Sequence, residues 1–285
     1  MIGQTLNGYE VVEAIDKRTY RAVKEDKFVA VHWVERQRVD RQVAFTLPPH
    51  PHVLPVLAQG DQYVITDWSQ GGTLRNALRQ RLAPDHALLI AQQISGALAH
   101  AHQHAIVHGG VRPQAIHFWD AEHQHAVLFG FGLPHKMSRR AAAYVSPELA
   151  QDLPTDARSD VYSLGVVLYE MLLGELPFSA ESTFATLTQH INEPLPDLNN
   201  KLPEATAYIV EKALQKDPAQ RFQSAQAMME ALQLARLAQA GGDVPSTMIG
   251  PPNTTIFKRP RREPAVEISA EPQPQKRSRF RFWKR

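Results

Sequence analysis

The sequence predicts an α+β fold: a small antiparallel β-sheet lobe at the N-terminus, a larger helical lobe after it, and a disordered basic tail. Three observations predict it. Short β-branched and aromatic runs fill the first 68 residues, the apolar period turns helical from Thr73, and proline and basic residues take over after Gly241 and Gly242. The expected segments are therefore 1–68, 69–240 and 241–285.

In the first segment "YEVVEAI", "TYRAVKE", "FVAVHWV" and "YVITDW" read as strands separated by polar connections. Between the last two, "RQVAFTLPPHPHVLPVL" has room for one short helix before the prolines at 48, 49 and 51 stop it. In the second segment "HALLIAQQISGALAHAHQHA" sets Ala87, Ile90, Ile94, Ala97, Leu98 and Ala101 along one stripe, with small residues for close packing. "SDVYSLGVVLYEMLLG" is apolar nearly all round and reads as a central buried helix. "STFATLTQHI", "PEATAYIVEKAL" and "SAQAMMEALQLARLAQ" are further helices, the last ended by the two glycines. The stretch from Val244 on has seven prolines and no sustained period, too little apolar surface to offset the entropy of ordering it. No internal repeat is found.

Composition narrows the chemistry. Cysteine is absent, which excludes disulfides, thiolate-bound zinc and thiol catalysis. The first residues show neither the basic nor the apolar region of a signal peptide. The most apolar run, residues 161–174, is too short to span a bilayer and carries Glu170. These features suggest a cytoplasmic protein. The net charge of +2 conceals a split: residues 241–285 hold ten Lys or Arg against four Asp or Glu, leaving −4 for the rest.

Five stretches in order resemble bacterial Hanks-type Ser/Thr protein kinases. "YVITDWSQGGTL" resembles the hinge and its Gly-Gly turn, and "ALAHAHQHAIVH" the helix entering the catalytic loop. "YVSPELA" resembles the end of the activation segment, "SDVYSLGVVLYEMLLGELPF" the central helix, and "ALQKDPAQRFQSAQAMMEAL" the closing helices. The resemblance covers residues 8 to about 237 and implies a bilobal protein-kinase-like fold.

The family's phosphoryl transfer needs phosphates and magnesium held in line with a nucleophile. At the positions that would supply this, the chain departs from the family. "EAIDKRTYRAV" has no glycine where the resemblance expects a glycine-rich turn. "VAVHW" puts His32 at the strand lysine, whose glutamate partner falls near Arg41. In "HGGVRPQA" the base aspartate is Gly110, the loop lysine Arg112 and the metal-binding asparagine Ala115. The magnesium aspartate is Gly130, and the threonine before Tyr144 is Ala141. Positions whose implied role is architectural keep their residues: His108 and Phe131 in the apolar spine, Asp160 bracing the loop, and Glu148 with Arg221 as a buried ion pair. Random drift would spoil both sets, so the expectation is a pseudokinase: a catalytically inactive scaffold or allosteric partner, without cofactor or metal.

Other readings stand beside it. A divergent ATP-binding Ser/Thr kinase would use relocated residues, with Lys17 in the shortened turn as one replacement for the strand lysine. ATP without magnesium could enter a degenerate pocket of Ala30, Thr66, Asp67 and Trp68, where Trp68 is bulky enough to fill space instead. Arg112 suits a phosphate or a structural carboxylate. His100, His104 and His108 recur at a zinc-compatible interval, but no carboxylate or cysteine completes a site, and no metal is expected. "KRSRFRFWKR", residues 276–285, packs six cations among two Phe and one Trp. It suits an anionic surface at the inner membrane, and less well nucleic acid. The expected partners are other proteins, an active kinase or its substrate among them.

Overall fold

A computed structural model describes residues 1–34, 47–133 and 137–241. The expected short helix before Pro48, the Arg41 position and the tail with its membrane-binding stretch lie outside the described residues.

The N-terminal lobe is a six-stranded antiparallel sheet in the order β1-β2-β3-β4-β6-β5. β1 is Thr5–Leu6, β2 Tyr9–Ala14, β3 Thr19–Lys24, β4 Lys27–Trp33, β5 Val56–Gln59 and β6 Tyr63–Asp67. β4 lies between β3 and β6 and is covered on both faces. Val29 and Val31 enter the lobe's core, while Ala30 and His32 share the opposite face, where His32 meets Phe129, so successive residues are buried. Val11, Ala22, Val29, Val31 and Ile65 form this lobe's own small core.

A glycine turn leads out of the sheet. Gly71 lies so close to the loop after β7 (Ile116–Phe118) that a Cβ would meet the Asp120 carbonyl oxygen at 2.1 Å, and Gly72 has φ +69°. Only glycine meets both demands. α1 (Leu74–Ala77) and α2 (Pro84–Gln103) follow, then β7 paired with β8 (Ala126–Leu128). α3 (Arg139–Ala142), α4 (Pro147–Ala150) and α5 (Ala157–Leu173) come next, then α6 (Thr183–Asn192), α7 (Glu204–Ala213) and α8 (Ala225–Gln239).

α5 is the axis of the helical lobe. Asp156 and Ser159 close a capping box at its start, and Gly174 ends it in the left-handed conformation. Fourteen of its residues, Ser159 to Leu172, are buried. Gly165 lets α7 approach, since a Cβ there would stand 2.8 Å from that of Ala213.

The Glu148–Arg221 pair ties the start of α4 to the segment before α8. Arg221 donates to both Glu148 oxygens at 2.7 and 2.8 Å. It also donates to the carbonyls of Gln215, Lys216 and Arg158, while Ser159 donates to Glu148 at 2.6 Å. Every guanidinium N–H therefore has an acceptor, which lets a side chain only 1% exposed keep its charge. Truncating either partner strands the other. Arg221→Ala should lower unfolding free energy by about 3–5 kcal/mol, read by urea titration; a loss below about 1 kcal/mol, the range of an exposed pair, would show that the pair does not carry this junction.

Candidate functional site

The loop from His108 to Ala115 joins α2 to β7, and Asp160 in the first turn of α5 holds its start. Asp160 Oδ2 accepts the His108 backbone N–H and Oδ1 that of Gly109, each at 2.8 Å. His102 Nε2 adds a third contact, 2.9 Å from Oδ2. His108 Nε2 can only donate to the Phe129 carbonyl, 3.0 Å away, so its Nδ1 is the acceptor for the Gly110 N–H at 3.1 Å. Burial lowers the His108 pKa, against the pull of Asp160, which fits this neutral tautomer. The ring meets Phe131 edge to face with centroids 4.7 Å apart.

Gly110 and Arg112 line a cavity of about 190 Å³ with Met137, Ala141, Tyr144 and Leu149. Arg112 is half-buried, and none of its atoms forms an ion pair with a carboxylate among the described residues. The structural salt bridge weighed for it from sequence is not formed among the described residues. Ala115 is buried, its N–H given to the Arg112 carbonyl and its carbonyl taking the Phe129 N–H. Gly130 has φ +112°, where L side chains rarely sit, so the backbone here is shaped around the missing side chain.

Aromatic and imidazole rings furnish the cleft between the lobes. The Thr66 hydroxyl donates to the Asp67 carbonyl, so it accepts from His32 Nε2 at 3.1 Å. The His32 ring stacks on Phe129 at 4.2 Å and meets His117 edge-on at 6.0 Å. His117 Nδ1 lies 3.0 Å from the Ser69 hydroxyl. Burial pushes His32 down to about 3, with His117 adding to it, and burial pushes His117 to about 4. Ala30 pairs with Thr66 across β4 and β6. Asp67 and Trp68 turn toward the sheet's cations instead: Asp67 pairs with Lys27 at 2.8 Å, and the Arg21 guanidinium lies 5.6 Å over the Trp68 ring.

The β2–β3 turn closes without glycine because Asp16 caps it. Its Oδ1 accepts the N–H groups of Arg18 and Thr19 at 2.7 and 2.8 Å, so both are already spent within the turn. Lys17 is exposed there. Burial lowers the His117 pKa, and the Asp16 charge opposes that shift.

Magnesium-bound ATP is what the resemblance implies for this cleft. Magnesium takes oxygen ligands, usually carboxylates together with phosphates. Gly110, Ala115 and Gly130 offer no side-chain oxygen, so the residues at the family's metal positions do not fit the ion. Among the described residues no group of three or more His, Asp or Glu is placed to hold a metal. His100 instead stacks on His50 at 4.9 Å and neighbours His104 at the same distance, while His108 has left the helix.

The two lobes, the braced loop and the central buried helix define a protein kinase fold. The chain belongs to the protein kinase domain family, whose pattern it matches over residues 13–232. It is 31% identical over 259 residues to a probable serine/threonine-protein kinase of Clostridium perfringens, covering 79% of this chain and 38% of that protein. It is 31% identical to the serine/threonine-protein kinase PrkC of Bacillus subtilis, over 69% of this chain and 33% of the relative. It is 32% identical to the serine/threonine-protein kinase PknB of Mycolicibacterium smegmatis, over 74% and 37%. The chain thus spans between a third and two fifths of these relatives' lengths.

One expectation is corrected. The departures at His32, Gly110, Ala115 and Gly130 pointed to a protein that is not an enzyme. The relatives carry the names of protein kinases, which are enzymes, and lost ligands at family positions do not exclude groups supplied from elsewhere. Among the described residues no helix is long and apolar enough to cross a membrane.

Sequence reasoning missed several members of the site: His102, His117, Ser69 and the capping Asp16. It also missed Arg75, which donates to both oxygens of Glu170 at 2.9 and 3.0 Å, beside Tyr144, which donates to Glu170 at 2.6 Å. A carboxylate inside the apolar run of α5 was the signal, since such a group has to find a cation.

The buried histidines make stability pH-dependent. His32, His117 and His190 are pushed down to about 3, 4 and 4, mainly by burial, whereas an unfolded histidine titrates near about 6.5. The unfolded chain therefore binds more protons as pH falls below that value. Their contribution is complete above it and fades toward pH about 4, by about 1.4 kcal/mol per pH unit for each histidine. Urea unfolding at successive pH values should show this slope, and His32→Phe should remove one histidine's share; an unchanged slope in the variant would refute the assignment.

Proposed function

We propose that the chain is a divergent Ser/Thr protein kinase domain, which passes a phosphoryl group from ATP to a serine or threonine hydroxyl. Groups other than the family's own act at its reacting centre. The observation that carries this is the catalytic loop held by Asp160 through two backbone N–H groups, with Arg112 left half-buried and unclaimed by any carboxylate among the described residues. A cation with no structural partner beside a cavity is available to an anionic phosphate. The relatives' names support the same reaction. No step is assigned to magnesium, because the family's metal positions hold Gly and Ala.

Loss of a general base alone costs about 10²–10⁴ in rate, so turnover should be slow. The test is transfer of radiolabelled phosphate from ATP, with magnesium or manganese, to the chain itself and to a generic Ser/Thr substrate. We expect slow incorporation that falls about 10-fold or more in Arg112→Ala. Asp160→Asn, checked by thermal melting for folding, should fall with it. Incorporation no higher than in a heat-inactivated sample, or equal in parent and both variants, overturns the reading.

A further inference from the structure

A cavity of about 620 Å³ opens beside the catalytic loop, lined by Arg75, Arg79, Arg139 and Arg140 together with Gln114 and Tyr144. Glu170 is the one carboxylate in its lining, and it is already satisfied. Arg75 bridges both its oxygens, and the Tyr144 hydroxyl donates to one of them. That leaves three guanidinium groups, all exposed, with no carboxylate partner among the described residues. Two more polar atoms in the same wall, Arg75 Nε and Gln114 Oε1, are buried without a hydrogen-bond partner among the described residues.

Like charges gathered in one concavity repel one another, and the fold gains nothing from holding them there. By contrast Arg221, Glu148 and Asp160, the fully buried charges described above, are matched by their own acceptors or donors. Guanidinium groups with free forks suit carboxylates and phosphates, which they bind in pairs of parallel hydrogen bonds.

We propose that this groove binds an acidic protein segment, one bearing Asp and Glu, with Arg79, Arg139 and Arg140 as the recognising groups. Residues 241–285 carry ten Lys or Arg against four Asp or Glu, a net charge that matches these arginines in sign and disfavours that stretch as the occupant. The occupant proposed is a segment of another protein. The groove reaches the catalytic loop: Gln114 lines it, and the Arg75 N–H donates to the Pro113 carbonyl. It also shares Tyr144 with the smaller, mostly apolar cavity at Gly110. A segment seated on the arginines can therefore run past Tyr144 toward the loop. That it would be a substrate there rests on the kinase reading; that it binds does not.

The test uses the full chain without nucleotide, so absent turnover leaves it intact. Fluorescence anisotropy is measured with four peptides of equal length: glutamate-rich, phosphoserine-bearing, uncharged and lysine-rich. We expect the two anionic peptides to bind, the other two not to, and binding to weaken as salt rises. Binding of the glutamate-rich peptide supports the proposal; binding of the phosphoserine peptide with the glutamate-rich one inert overturns it in favour of a phosphorylated segment. The triple variant Arg79→Gln, Arg139→Gln, Arg140→Gln should melt like the parent and lose about 10-fold or more in affinity. Arg261→Gln with Arg262→Gln removes tail charge instead and should retain the parent's affinity. Equal binding of the uncharged peptide, or unchanged affinity in the triple variant, overturns the proposal. So does a single-stranded oligonucleotide that displaces the peptide at equal affinity and is itself lost in the triple variant, since the groove would then read nucleic acid.

Discussion

The candidate site depends on one carboxylate. Asp160 is 1% exposed, and a charge so deep in a protein survives only if its oxygens are filled by hydrogen bonds. Here they are filled by the N–H groups of His108 and Gly109 and by the His102 ring. The contact works in both directions. The loop backbone satisfies the acid, and the acid fixes the loop against α5, the most buried helix of the molecule. Through His108 the order passes on to the Phe129 carbonyl and hence to the far side of the cleft.

Within that frame the cleft has an electrostatic character unlike the family's. A lysine at the His32 position would bring a full charge beside Phe129 and Thr66 and would need a carboxylate close by. The neutral imidazole needs only the Thr66 hydroxyl, and its face stacks on Phe129. His117 follows the same logic with Ser69. The turn above the cleft is consistent with this: Asp16 consumes its N–H groups, so they are not aimed at an incoming anion. Fixed positive charge has moved down to Arg112 and to the arginines around the neighbouring groove.

The fold was largely legible in the sequence because its signals are local. Four of the sheet strands and the five long helices follow from period and capping, and the stretches around "SDVYSLGVVLYEMLLG", each weak alone, become specific because five of them occur in order. β5 escaped because it follows Pro55 in a proline-rich stretch, and β7 and β8 because three-residue strands show no alternation. Of the site, the residues that fall on family positions could be named, whereas their contacts could not. Nothing in "AVLFGFG" says that Phe129 will meet His32, which is 97 residues away, or that His102 will share Asp160 with the loop. Such pairings are set by how helices and strands pack, and packing is not written in any one segment. The inference from missing residues to missing activity failed for a related reason: a motif reports where the family keeps its groups, not where else a chain can place them.

The contrast between two kinds of cation gives that last point physical content. Arg221 spends all five N–H groups on Glu148 and three carbonyls, and Arg75 holds both oxygens of Glu170. These are charges the fold uses, each facing a carboxylate that it grips through both oxygens. Arg112, Arg79, Arg139 and Arg140 stand in cavities on either side of Tyr144 with no carboxylate partner among the described residues. A half-buried guanidinium without a counter-charge costs stability, as Arg112's pKa, lowered chiefly by burial, registers. What these four open guanidinium groups share, and the paired ones do not, is donor capacity left over for an anion.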